Sequence, residues 1–80
     1  MKLLKITWED AVTIHDITHS LEEIKKFNLI QAETIGYLVC EDNKKIVLCS
    51  LVFYTKDNNE KYYKTLHIIP KKSIIKKEIL

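Results

Sequence analysis

Ile46-Val47-Leu48-Cys49-Ser50-Leu51-Val52-Phe53-Tyr54-Thr55 is the most apolar run of the chain. The stretch consists of strand-compatible residues, lacks Gly and Pro, and lies between two turn-like clusters, Asn43-Lys44-Lys45 and Lys56-Asp57-Asn58-Asn59, which predicts a central β-strand. Its two faces are Ile46, Leu48, Ser50, Val52 and Tyr54 on one side and Val47, Cys49, Leu51, Phe53 and Thr55 on the other. Both are largely apolar, whereas a strand with one wet face alternates more cleanly. Either the strand bends through a small barrel or its second face is covered by another subunit.

The flanking segments supply its neighbours. Glu33 to Glu41 has period two, and the one glycine of the chain, Gly36, falls inside it. A glycine there marks a bulge, a bend or the close passage of another backbone. Glu41-Asp42-Asn43-Lys44 predicts a tight hairpin turn and Asp57-Asn58-Asn59-Glu60 a longer one. Lys61 to Ile69 is a further strand that Pro70 ends, and Ile69-Pro70-Lys71-Lys72-Ser73 predicts a single turn of 3₁₀ type before a last strand, Ile74 to Leu80. At the start, Lys2 to Trp8 alternates as a first strand. Ser20-Leu21-Glu22-Glu23 has the spacing of a capping box and opens a helix over residues 20 to 27, with Leu21, Ile24 and Phe27 at helical interval. Ala11 to Ile14 is compatible with both a further helical turn and an extended arm.

Eighty residues with 46% hydrophobic and 30% charged side chains make one ordered domain with a small core, a size at which oligomerisation is a common source of stability. No apolar run nears the length of a membrane span, and Met1-Lys2-Leu3-Leu4-Lys5 meets Glu9-Asp10 too soon for a signal peptide, so the expected location is the cytoplasm. The net charge of +2 hides an asymmetry: residues 1–42 hold four Lys against eight acids, residues 43–80 nine Lys against three. Such a split steers an anionic partner to one face or is neutralised when the halves pack together. Every basic residue is Lys. The absence of the bidentate guanidinium weakens a specific nucleic-acid reading.

Cys40 and Cys49 are not cross-strand partners in either short-turn register. A two-residue turn sets Cys40 against Lys45 and Cys49 against Gly36, and a three-residue turn sets them against Ile46 and Tyr37. Two buried, reduced thiols are expected. His15, His19 and His67 form no metal pattern, so neither a metal nor a cofactor is expected. His15-Asp16 and His19 are the residues suited to acid/base chemistry, and no nucleophile or oxyanion loop accompanies them, so the chain is read as a non-enzyme with no catalytic residue. Trp8 beside Glu9-Asp10 is either an exposed anchor for a partner or, as is more usual for a lone Trp, core.

The layout is a strand, a long excursion with a helix, three meandering strands, a Pro-containing turn and a final strand. It is that of a mainly β, β-rich α+β domain: a five-stranded antiparallel SH3-like or Sm-like small barrel, 1–80, with one short helix in its first long connection. The ending from Leu66 through Pro70 to Leu80, together with Ile6-Thr7-Trp8-Glu9-Asp10 and Thr34-Ile35-Gly36-Tyr37-Leu38, resembles a group of small uncharacterised proteins encoded by bacteriophages and prophages. The segment from Asp16 to Asn28 departs from the shorter versions of that pattern. The resemblance implies an accessory protein that binds and blocks a host component, either a host protein or a nucleotide-type ligand, as a host-defence antagonist in the host cytoplasm.

The most function-like feature in the residues themselves is the second hairpin. Phe53-Tyr54-Thr55-Lys56 and Lys61-Tyr62-Tyr63-Lys64 flank its loop. Aromatic rings stack on bases and Lys attracts phosphate, which makes Tyr54, Lys56, Lys61, Tyr62 and Lys64 the candidate ligand-binding set. The competing explanation is cross-strand aromatic pairing with Lys for solubility. A homo-oligomer is expected, with Trp8, Cys49 and Phe53 as candidate interface residues. The alternative function is an Sm-like binder of single-stranded nucleic acid.

Overall fold

A computed structural model describes residues 1–11, 18–57 and 59–80. Five strands follow one another: β1 (Leu3–Asp10), β2 (Ile30–Glu41), β3 (Lys45–Tyr54), β4 (Lys61–Pro70) and β5 (Ile74–Ile79). Among the described residues one short helix, α1 (Leu21–Ile24), precedes β2, and a 3₁₀ turn, Lys71–Ser73, joins β4 to β5. All strand pairs are antiparallel and make one sheet in the order β4-β3-β2-β1-β5. The mainly β, five-stranded antiparallel architecture with one early helix is as expected. The expected closure into a barrel is not found: β4 and β5 are the sheet's edges and no ladder joins them. β5 has six residues, and its ladder is with β1, while the N-terminal half of β4 runs out along β3 alone.

Long-range pairing sets the strand ends. β1 and β2 pair without interruption from Leu3↔Tyr37 to Asp10↔Ile30, which draws Glu9-Asp10 and Ile30-Gln31-Ala32 into strands longer than their alternation indicates. The helix is shorter than expected. Ser20 Oγ accepts from the Glu23 N–H (3.2 Å), as the capping box requires. After one turn, Lys26 and Phe27 donate to carbonyls three residues back rather than four. No residue of α1 is buried, and a helix without a packed face has little to extend it. Residues 12–14, whose conformation the pattern left open, lie outside the described residues, as do His15 and Asp16.

The core sits on one face of the sheet, where Leu4 and Ile6 of β1, Ile46 and Leu48 of β3 and Ile69 of β4 cluster, with Trp8, Leu38 and Ile74 packed against them. Trp8 is therefore largely a core residue, and its indole N–H donates to Thr34 Oγ1 at 3.0 Å. Burying that ring without a partner for its one donor would be costly. At the other end, the Lys71 N–H donates to the Lys44 carbonyl (2.9 Å), fixing the 3₁₀ turn against the β2–β3 turn.

Gly36 is where the sheet divides. A Cβ built there would lie 2.8 Å from the Cys49 carbonyl oxygen and 3.1 Å from Leu48 Cβ, so the close backbone passage expected from the sequence is present. From Gly36 back to Ile30, β2 pairs, among the described residues, with β1 alone. Beyond Cys49, β3 pairs, among the described residues, with β4 alone. Between them, a register shift from Leu38 to Cys40 leaves Val39 as an extra residue in β2, and a bulge of this kind bends a strand. Cys49 is opposite Tyr37, and Cys40 is opposite Val47. Both thiols are free, but only Cys49 is buried; Cys40, past the bulge and next to the turn, is exposed, a correction to the expected pair of buried thiols.

The fork makes the molecule long. It measures 61 × 26 × 21 Å, with a radius of gyration of 17.2 Å, against about 12 Å for a compact globule of this length.

Candidate functional site

Leu51↔Lys64, Val52↔Tyr63, Phe53↔Tyr62 and Tyr54↔Lys61 are the cross-strand pairs of the outer β3–β4 hairpin. This two-stranded ribbon carries the candidate ligand-binding residues. Directly opposed residues share a face and successive residues alternate. One face thus holds Leu51, Phe53, Tyr62 and Lys64, and the other Val52, Tyr54, Lys61 and Tyr63. Tyr54 and Tyr62, both members of the expected ligand-binding set, stand on opposite faces. Lys64 goes with Tyr62 and Lys61 with Tyr54. Lys56 is exposed in the loop beyond β3.

Different charges attend the two faces. Lys61 Nζ lies 5.8 Å from the centre of the Tyr54 ring, a cation over an aromatic face. Tyr62 instead donates its hydroxyl proton to Glu60 Oε2 at 2.6 Å. That hydrogen bond to the carboxylate raises the Tyr62 phenol above its ordinary pKa. Tyr54 therefore pairs with a cation and Tyr62 with an anion. The ribbon's end is closed by the Thr55 N–H donating to the Glu60 carbonyl (3.1 Å) and the Glu60 N–H donating to Thr55 Oγ1 (3.2 Å).

Thr65 separates the ribbon from the core half of β4. Its φ is +59°, a left-handed conformation that a β-branched residue rarely adopts. The ladder runs from Cys49↔Leu66 to Leu51↔Lys64, with no paired residues at Ser50 and Thr65. A cleft of about 310 Å³ opens at the same level, lined by Met1, Tyr37, Ser50, Leu51, Val52 and Tyr54. It lies in the crotch where β3 parts from β2. Its volume is at the lower end of the range for small-ligand sites.

Of the three candidate interface residues, Phe53 is exposed (45%), Cys49 is fully enclosed by its own chain and Trp8 packs on the core. Both faces of β3 are filled within the chain from Ile46 to Cys49, and open only from Ser50 onward. Tyr37, Tyr63 and Met1, which are outside the expected site set, belong to the same region. Tyr63 was detectable as the residue opposite Val52 once a register is chosen. Met1 and Tyr37 reach the cleft only through the β1–β2 pairing.

A second cleft, of about 250 Å³, is lined by Glu41, Ile46, Lys71, Ile74 and Lys77. Lys71 Nζ lies 3.1 Å and Lys77 Nζ 3.9 Å from Glu41 Oε2. The hydrogen bond and charge of Lys71, then the charge of Lys77, hold the Glu41 carboxyl below its usual range. These contacts tie β2 to the 3₁₀ turn and β5. His19 contacts Glu23 Oε2 at 3.1 Å and packs edge-on to Phe27, with ring centres 4.9 Å apart. Among the described residues, no group of three or more His, Cys, Asp or Glu side chains is placed to hold a metal ion, and no helix is long and apolar enough to cross a membrane. Compared with family models, with curated proteins and with solved structures, the chain matches none.

Proposed function

We propose that this chain is a non-enzymatic binding domain, an open relative of the SH3-like or Sm-like small barrels, that works through the Tyr54 side of its β3–β4 ribbon. Its ligand is of nucleotide type, and in a phage-like accessory role, acting in the host cytoplasm, it would sequester that ligand from a host defence. The observation that carries the reading is the placement of Tyr54 and Lys61 as a stacked aromatic–cation pair beside the cleft at the fork. Stacking on an aromatic ring and attraction of phosphate by Lys are the two contacts such a ligand needs. Glu60 beside Tyr62 disfavours an anion on the opposite face. The remaining members of the expected set, Lys56 and Lys64, contribute long-range attraction.

A thermal-shift screen of mononucleotides, dinucleotides and cyclic nucleotides tests this, because a ligand bound only by the folded chain raises Tm with its concentration. The Tyr54→Ala variant should abolish a shift that Tyr62→Ala leaves in place. No shift with any nucleotide would remove the ligand reading and leave a host protein as the partner. The second reading, a binder of single-stranded nucleic acid, rests on the Lys residues spread over both faces. It requires oligonucleotide affinity that falls steeply with salt, and the absence of binding at low salt removes it.

Homo-oligomerisation is part of the same reading. It is supported by the small core, with seven buried hydrophobic residues among those described, beside half-exposed Leu51, Phe53, Tyr62 and Tyr63.

A further inference from the structure

The described residues present several open strand edges, and they are guarded unequally. The free edge of β4 belongs to a strand carrying Lys61 and Lys64, distorted at Thr65 and ended by Pro70. β5 carries Lys76, Lys77 and Glu78 within six residues. The part of β2 that faces away from β1 across the fork contains Gln31, Glu33 and Thr34. Charges, Pro and irregular backbone are the devices by which proteins keep edges from pairing with other chains. The edge of β3 from Ser50 to Tyr54 has none of them: Ser-Leu-Val-Phe-Tyr is uncharged and without Gly, Pro or bulge. Among the described residues, no strand pairs with it. It also belongs to a two-stranded ribbon, which is marginal in water until a third strand or a packed layer supports it.

We infer that a second copy of this chain occupies that edge, its own Ser50–Tyr54 running antiparallel about a two-fold axis near Val52. The two hairpins then form one continuous sheet in the order β4-β3-β3-β4. Residue chemistry selects a copy of itself over an unrelated strand. Antiparallel pairing about Val52 sets Leu51 opposite the Phe53 of the second copy, Ser50 opposite its Tyr54, and Val52 opposite its Val52. Apolar side chains meet apolar ones, a small residue meets a large one, and no like charges face each other, the pairings that favour a ladder. The nearest lysines of β3 and its loop, Lys45 and Lys56, lie outside the paired stretch. The two-fold arrangement uses the same edge on both chains, so it closes at two copies. It also sets the second copy's Tyr54 opposite Ser50, on the face that carries Tyr54 and Lys61.

The inference deepens the oligomeric part of the proposed function. Mass and cross-linking are read without any nucleotide, so its failure is separable from failure of the ligand reading. Light scattering on the unmodified chain over a wide concentration range should give twice the chain mass at the upper end. Val52→Lys, which sets two like charges against each other at the axis, should return the mass to one chain with an unchanged far-ultraviolet circular dichroism spectrum. Ile75→Lys, a change at an exposed apolar residue elsewhere, should leave the mass doubled. In a Cys40→Ser background, oxidised Val52→Cys should run as a reducible covalent dimer, and Lys64→Cys, on the strand farther from the axis, should not. The cross-link decides the matter if Val52→Lys fails to fold. A single-chain mass at every concentration would overturn the inference. So would a doubled mass that folded Val52→Lys leaves intact, or cross-linking at Lys64→Cys as ready as at Val52→Cys.

Discussion

At Gly36 and at Thr65 a single residue sets the path of the chain. At Gly36 the constraint is steric: its φ is not positive, so any residue tolerates the backbone, but an added methyl meets the Cys49 carbonyl oxygen at 2.8 Å. A backbone oxygen in a ladder cannot swing aside as a side-chain tip does. Gly36→Ala should therefore destabilise the fold by about 1–3 kcal/mol, the usual cost of overpacking, read as a lower urea midpoint at unchanged slope. A midpoint equal to the parent's would mean that β2 and β3 separate easily at the fork. Thr65 is the opposite case. Its φ of +59° is a conformation that L-residues adopt at about 1–2 kcal/mol and Asn at less. Thr65→Asn should raise stability by about 1 kcal/mol, and a loss would show that the Thr side chain makes a contact that outweighs the strain.

At the scale of elements, the β2–β3 turn is held by one side chain. Asp42 Oδ1 accepts from the N–H groups of Lys44 (2.8 Å) and Lys45 (2.9 Å), and Oδ2 meets Lys45 Nζ at 2.8 Å. The Lys45 side-chain bond first, then the two backbone bonds, hold the Asp42 carboxyl far below its ordinary range, and the same Asp42 raises Lys45. Glu41 is depressed as well, by Lys71 and Lys77. For groups whose pKa is lower folded than unfolded, the stabilisation is present above the ordinary carboxylate value, about 4, and is lost as pH falls through the folded value. Tm should therefore fall on acidification below the carboxylate range. Asp42→Ala should lower Tm at neutral pH and flatten that acid limb, whereas Asp42→Asn, which keeps an acceptor for the two N–H groups, should cost less at neutral pH. An acid limb unchanged by Asp42→Ala would assign the loss to other carboxylates.

The turn was legible in Asp42-Asn43 because turn chemistry is local, as were the capping Ser20, the 3₁₀ turn after Pro70 and the strand from Ile46. What the sequence hid is pairing at a distance. Whether Tyr62 shares a face with Tyr54 depends on a register that the long loop from Thr55 to Glu60 does not pin, and a slip of one residue reverses every face. Cys40 became exposed because a bulge at Val39 lies between it and Cys49, and no residue type announces a bulge there. The division of Ile46–Thr55 into an enclosed half and an open half follows from β2 leaving β3 to pair with β1. That choice is made elsewhere in the chain.

For the whole molecule, the fork means that two parts of one sheet have different sources of stability. Ile46–Cys49 is flanked by β2 and β4 and lies in the core with Leu4, Ile6 and Ile69. Opening it requires unfolding the domain. Among the described residues, the strand segments Leu51–Tyr54 and Lys61–Lys64 pair only with each other, and in one chain alone they should open with little free energy, as segments with few buried contacts do. If the β3 edge is filled by a second copy, protection of the outer amides becomes a property of association and must follow mass action. Amide hydrogen exchange followed by mass spectrometry should then show slow exchange at Ile46–Cys49 at every protein concentration. Exchange at Leu51–Tyr54 should slow as concentration rises, and in Val52→Lys it should stay fast throughout. Protection of the outer strand that is strong at high dilution would mean that the ribbon is held within a single chain. In that case the unguarded edge would need a covering segment from the same molecule in place of a partner.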